Sequence, residues 1–287
     1  MSRVEIRHLN KIYGPAGNGH VVALQDFSLD IRSGEFICLL GPSGCGKTTA
    51  LNIVAGLLKQ TSGEVLVDGR RVTGPGPERA YVFQDYALFP WMSVAENVAF
   101  GLESQGWAVA ERLARAHAIL KVMGLDKFAR SYPKQLSGGM RQRVSIARAL
   151  AVNPRVLLMD EPFAALDAFT RAQLQDELLS IWEALGKTVL FVTHNIDEAV
   201  QLADRIVVMT SRPGRMKLVV ETDLPRPRDV TSPRYLELVS TVRAALSEEM
   251  GIGHHEAYRG LADILGRDDE TAPARTAAQK ARDHAGH

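Results

Sequence analysis

The sequence predicts a mixed α/β fold, and three observations carry that expectation. Short apolar runs recur at residues 36–40, 156–159, 189–192 and 206–209, most of them followed by a turn and then an amphipathic stretch. Parallel strands that alternate with helices give this pattern, because neither face of such a strand meets water. Ahead of the first of these runs, residues 4–9, 21–24 and 27–31 read as strands separated by Gly/Asn and Asp turns, which suggests an antiparallel β-subdomain. From residue 93 to 151 the strand signal gives way to three helical segments, 94–102, 108–123 and 137–151, with Gly124 and Pro133 as breaks.

The helical stretch reads as an insertion, at about residues 85–152, in one α/β domain spanning 1–225. Beyond it, Pro225, Pro227 and Pro233 bracket a link to a single amphipathic helix at 235–250, so residues 226–265 are assigned to linker and helix. Residues 266–287 are charged, Ala-rich and free of Phe, Trp and Tyr, the composition of a disordered tail. His254, His255, His284 and His287 fall in this helix end and tail and are read as solvated rather than as metal ligands.

With 46% hydrophobic residues in 287, the chain can fill a proper core. Its 34 Lys and Arg against 33 Asp and Glu leave a net charge of +1, so no global charge draws it to nucleic acid or anionic lipid. Two cysteines, Cys38 in an apolar run and Cys45 in a glycine-rich loop, make neither a disulfide framework nor a metal motif and fit a reducing compartment. The first residues lack a signal-peptide pattern, and the apolar runs fall short of the roughly 20 residues that cross a bilayer. Any membrane role then requires a partner.

The chemistry is concentrated in two motifs. Gly41, Pro42, Ser43, Gly44, Cys45, Gly46, Lys47 and Thr48 match GxxxxGK[ST], follow the apolar run FICLL and precede a helix-like stretch beginning with Thr48 and Thr49. Glycines at 41, 44 and 46 let the backbone curl so that its N–H groups point inward at phosphate oxygens, next to the positive end of a helix. Lys47 is expected to reach the β- and γ-phosphates, and Thr48 to ligate Mg²⁺. The second motif is the run 156–159 ending in Asp160 and Glu161. Asp160 suits the outer shell of Mg²⁺, and Glu161 suits a base or water-orienting role beside the γ-phosphate. Taken alone, an Asp-Glu pair at a strand end is an ordinary solvated terminus.

Leu136-Ser137-Gly138-Gly139-Met140-Arg141-Gln142-Arg143 resembles the signature motif that sets ATP-binding-cassette (ABC) ATPases apart from other P-loop proteins. Ser137 is also a good N-cap for the following helix, whose first amides the two glycines leave open to an anion. The other family features follow in order: Tyr13, Gln84, Ala165-Leu166-Asp167 and His194. The resemblance covers about residues 4–215. It implies a P-loop ABC ATPase core with an antiparallel β-subdomain and a helical signature subdomain, using ATP and Mg²⁺. It further implies that Tyr13 stacks on adenine, that Gln84 senses Mg²⁺ and couples to the membrane partner, that Asp167 bridges a dimer, and that His194 contacts the γ-phosphate. Ser137, Gly138 and Gly139 would close on the nucleotide of a second copy in a head-to-tail homodimer.

The order FPW, SVAENVAFGLE, EPFAALDAFTR, SRPGR and DLPRPRDVTSPRY looks like ATPases of nitrate, sulfonate and taurine-type importers. That resemblance implies separate transmembrane permease subunits, a periplasmic solute-binding protein acting through them, a peripheral place on the cytoplasmic face of the inner membrane, and no nucleic-acid partner. Phe89, Pro90 and Trp91 are read as a groove for a helix of the permease. The chain departs from the family pattern at Ala164, where Gly is usual, and at Asn195, where Asp is usual. An exporter or lipoprotein-releasing ATPase, and a soluble non-transport ABC ATPase, stay open as alternatives at this point.

Overall fold

The computed structural model describes residues 2–14 and 19–250. β1 (Val4–Tyr13) and β2 (Val21–Ile31) lead to β3 (Phe36–Leu40) and α1 (Lys47–Ala55). β4 (Ser62–Val67), β5 (Arg70–Arg71) and β6 (Arg79–Val82) follow, then α2 (Val94–Glu103), α3 (Val109–Val122) and α4 (Gly138–Ala151). The last third runs β7 (Val156–Asp160), α5 (Ala168–Leu185), β8 (Thr188–Thr193), α6 (Ile196–Leu202), β9 (Arg205–Met209), β10 (Met216–Glu221) and α7 (Pro233–Met250).

These strands make two sheets. One is four-stranded and antiparallel, in the order β2-β1-β4-β5; the other has the order β10-β9-β3-β8-β7-β6 and is parallel except for its edge strand β10. Every residue of β3, β7 and β8 is buried, which explains their unbroken apolar runs. Alternate residues of these strands enter different cores. Phe36, Cys38 and Leu40 of β3 join α2, α4 and α7, whereas Ile37 and Leu39 join α1 and the antiparallel sheet. Each fully buried side chain of this size contributes about 1.5–3 kcal/mol.

Residue 26 was expected to sit in a turn between two strands. Instead β2 runs through it, and Asp26 stands at φ 49° in a bulge opposite His8 at φ 46°. Asp26 N–H donates to Asn10 Oδ1 (2.9 Å), and its carboxylate lies 2.7 Å from His8 Nδ1, so side chains satisfy the groups that the bulge takes out of the ladder. The expected tail at 266–287, and His254, His255, His284 and His287, lie outside the described residues.

α7 buries Tyr235, Leu238, Val239, Val242, Ala245 and Leu246 against the core, the i, i+3, i+4 stripe of an amphipathic helix. No described helix is long and apolar enough to cross a membrane.

Candidate active site

Strands β3, β6, β7 and β8 are parallel, so the segments following them emerge at one edge of the sheet. Open α/β sheets hold their ligands at this edge. After β3 the chain turns through residues 41–46 into α1. Gly44 and Gly46 have φ of 78° and 96°, and a Cβ on Gly46 would lie 2.7 Å from Ala23 O, so the close approach as well as the turn requires glycine there. Cys45 N–H donates to Pro42 O at 3.3 Å, and the Cys45 thiol is buried, which pushes its pKa up. Lys47 is buried, and its ammonium donates to Gly41 O (2.7 Å) and Pro42 O (3.1 Å), two carbonyls of its own loop.

Two acidic side chains diverge at the end of β7. Asp160 is buried and accepts hydrogen bonds from Thr48 Oγ1 (3.0 Å) and Tyr81 OH (3.1 Å). Burial raises the Asp160 pKa; the Thr48 and Tyr81 hydroxyls oppose the rise, and the neighbouring Glu161 charge adds to it. The same burial, with the Asp160 charge, raises the phenol of Tyr81. Glu161 has φ 43°, a left-handed conformation that is strained for a residue with a Cβ, and its N–H is anchored on Val192 O at 2.9 Å. Its Oε2 lies 2.8 Å from His194 Nδ1 at the end of β8. Asn195, next in the chain, caps α6 by accepting from Asp197 N–H and Glu198 N–H. An Asp would cap equally well, so this departure leaves the local structure intact.

One cleft of about 590 Å³ is lined by Tyr13, Ser43, Gly44, Gly46, Lys47, Thr48, Thr49, Gln84 and Glu161, together with Val21, Ala23 and Arg212. Tyr13 OH lies 3.4 Å from Thr49 Oγ1, which ties the exposed ring to the first turn of α1. Asp160 reaches the cleft through Thr48, and His194 through Glu161. Ser137, Gly138, Gly139 and Asp167 do not line it. Ser137 caps α4, its hydroxyl accepting from Met140 N–H at 3.3 Å. Asp167 caps α5 by accepting from Thr170 N–H at 3.0 Å, and that backbone donor holds its carboxyl below the usual range.

Three further residues contribute that sequence reasoning missed. Tyr81 holds Asp160 from the neighbouring strand. Arg148 of α4 donates to Tyr86 O (2.9 Å) and Ala87 O (2.6 Å), fixing the loop just after Gln84, where Tyr86 and Ala87 both have positive φ. Arg212 reaches Gly44. The partners of all three lie tens of residues away, so no local spacing could mark them.

The residues present suit ATP and Mg²⁺. A curled loop with a buried ammonium accommodates a polyphosphate, and the oxygen pair of Thr48 and Asp160 is the hard donor set that Mg²⁺ takes. A family model described as ABC transporter matches residues 24–164. An uncharacterized ABC transporter ATP-binding protein of Methanocaldococcus jannaschii is 52% identical over 248 residues, 86% of this chain and 92% of that protein. The chain belongs to the ABC transporter family. A nitrate import ATP-binding protein of Synechocystis sp. is 50% identical over 222 residues, 77% of this chain and 83% of the relative. An aliphatic sulfonates import ATP-binding protein of Bacillus cereus is 45% identical over 235 residues, 82% and 92% of the two chains. Among solved structures, a dimeric post-hydrolysis state of an ATP-binding cassette bound to ADP and Pi matches with a TM-score of 0.68 and 36% identity, covering 76% of this chain and 98% of that one. The chain is thus an ABC-type ATPase that uses ATP and Mg²⁺.

Proposed function

We propose that this ABC ATPase powers import of a small solute of the nitrate, sulfonate or taurine type through separate permease subunits, working as a head-to-tail homodimer. The observation that carries the dimer is the division of the site. Lys47, Thr48, Gln84 and Glu161 meet at one cleft, while Ser137, Gly138 and Gly139 stand elsewhere. A second copy would then bring its Ser137 helix end to the nucleotide held by the first, so that ATP joins the two and hydrolysis releases them.

Within each cleft Lys47 would offer its ammonium to the phosphate chain, and Thr48, Asp160 and Gln84 would hold the metal. When bound, Mg²⁺ neutralises charge on the phosphate oxygens. Glu161 accepts the proton of the attacking water, and His194, 2.8 Å away, keeps that carboxylate aimed. Tyr13 stacks on the base, and Asp167 faces the other subunit. The chain supplies position and charge rather than a covalent step.

Support for the import reading comes from the nitrate and sulfonate relatives and from one surface. Trp91 is 71% exposed, and Phe89, five residues beyond Gln84, packs between it and Phe100 of α2 with ring centroids at 5.7 and 4.4 Å, an apolar patch. In this reading a permease helix covers the patch and holds the ATPase at the cytoplasmic face of the inner membrane, with the periplasmic solute-binding protein acting through the permease.

The test is Mg²⁺-ATP turnover against protein concentration for wild type and Ser137→Arg, with and without membranes carrying the permease. Turnover rising faster than linearly, and abolished by Ser137→Arg, is expected of a shared site. Linear turnover indifferent to Ser137 would reject it, and stimulation by an exporter's membrane subunit alone would reject import.

A further inference from the structure

Arg212 brings to the cleft a positive charge that the chemistry of Lys47 and Glu161 does not employ. It stands in the tight loop 210–215 between β9 and β10. Thr210 closes that loop: its N–H donates to Arg215 O (2.9 Å), its hydroxyl donates to Pro213 O (2.7 Å), and the same hydroxyl accepts from Arg215 N–H (2.9 Å). Gly214 seats the loop on β2. Gly214 N–H donates to Ala23 O and Gln25 N–H to Gly214 O, both at 3.0 Å, and a side chain at 214 would run into Cys45 O. The loop is therefore built against the phosphate loop.

From there Arg212 lays its guanidinium over Gly44. Nε donates to Gly44 O at 3.2 Å, and a Cβ at residue 44 would lie only 2.7 Å from Nη2, so the absent side chain makes room for it. Among the described residues this is the guanidinium's only hydrogen bond, and no carboxylate pairs with it. Its other N–H donors stay available at the mouth of a phosphate-binding cleft, and a guanidinium fork matches phosphate oxygens in geometry and charge.

The opposite side of the loop is tied to the end of α7. Ser211 N–H and hydroxyl donate to Glu249 Oε2 at 2.7 and 3.3 Å, and Lys217 pairs with Glu249 Oε1 at 2.9 Å. We propose that Arg212 is a further nucleotide-binding residue, giving the phosphate chain of ATP a second cation, and that Glu249 of α7 is its positioning residue. The inference rests on the reading of the cleft as the ATP site. It makes the last turn of α7 a determinant of nucleotide affinity although it lines no part of the cleft.

Calorimetric titration of the full chain with Mg²⁺-ATP, and competition by adenosine against a fluorescent ATP analogue, test both parts. Arg212→Ala is expected to weaken ATP binding about tenfold at low salt, the size of one partly exposed charge-assisted hydrogen bond, with the loss shrinking as salt rises. Adenosine affinity should not change, and Arg212→Lys should recover part of the loss. Glu249→Gln should weaken ATP less, and adding it to Arg212→Ala should cost nothing further, because the two act on one contact. ATP affinity indifferent to Arg212 overturns the inference, and a Glu249 effect that persists without Arg212 overturns the positioning role. A wild-type chain that binds no ATP would overturn the underlying site reading itself.

Discussion

Asp160 sits where an ionised carboxylate is costly, buried between Thr48 and Tyr81, whose hydroxyls each donate to one of its oxygens; the proposed function gives that carboxylate to Mg²⁺. Asp160→Asn removes the charge and retains an acceptor for one hydroxyl. The free protein is expected to gain on the order of 1 kcal/mol, or about 2–4 °C in melting temperature, while Mg²⁺-dependent turnover collapses. A variant that melts lower than wild type in metal-free buffer would show that charge at Asp160 is not the burden. Glu161→Gln is expected to bind ATP and dimerise but to lose turnover by more than about a hundredfold; near-normal single-turnover rates would remove Glu161 from the base role. At this scale the sequence was legible wherever chemistry fixes a local spacing. Lys47, Thr48, Asp160 and Glu161 stand in short motifs, whereas Tyr81, Arg148 and Arg212 find their partners only through the fold.

At the scale of elements, local physics explains both what was read and what was passed over. The three helices of the signature region ended within two residues of expectation because their ends carry strong signals, such as the capping box of Ser93 and Glu96 at α2. β4 and β5 went unread although Asp68-Gly69 joins them, with φ of 50° and 74°, a standard two-residue hairpin turn. β10 is an antiparallel edge with three partly buried or buried positions, so its alternation is weak. Asn97 gives this scale its sharpest expectation. It is fully buried on α2, and its side chain accepts from Phe89 N–H (2.8 Å) and donates to Phe89 O, Met92 O and Ser93 O at 3.0–3.1 Å. One amide thus folds the aromatic segment 89–93. Phe89 O also accepts from Met92 N–H and Ser93 O from the Asn97 backbone N–H, so Asn97→Ala deprives Phe89 N–H and Met92 O of their partner. It is expected to lower stability by about 2–3 kcal/mol in urea unfolding, with faster hydrogen exchange at Phe89. A change within 0.5 kcal/mol would mean that water replaces it freely.

The described residues are organised about a mostly parallel sheet with two unlike faces, and that asymmetry distributes the parts of the proposed site. One core, with α1 and the antiparallel sheet, backs the phosphate loop; the other, with α2, α4 and α7, carries Ser137 on its far element. Unbroken apolar strand runs announce two covered faces, so the α/β class was legible. Which helix covers which face depends on long-range packing and was not. In the proposed head-to-tail pair, parts of one reaction reside on different elements and meet across two chains, so they can be damaged separately. A chain with Lys47→Ala keeps a sound Ser137 end, and a chain with Ser137→Arg keeps a sound phosphate loop. Each is expected to be inert alone, yet in a mixed pair the loop of the second faces the helix end of the first, and one undamaged site is reassembled. Mixing the two inert proteins should therefore restore ATP turnover, as two broken alleles complement one another within a single oligomer. Persistent inactivity at concentrations where the wild type is active would argue that each chain carries its site entire.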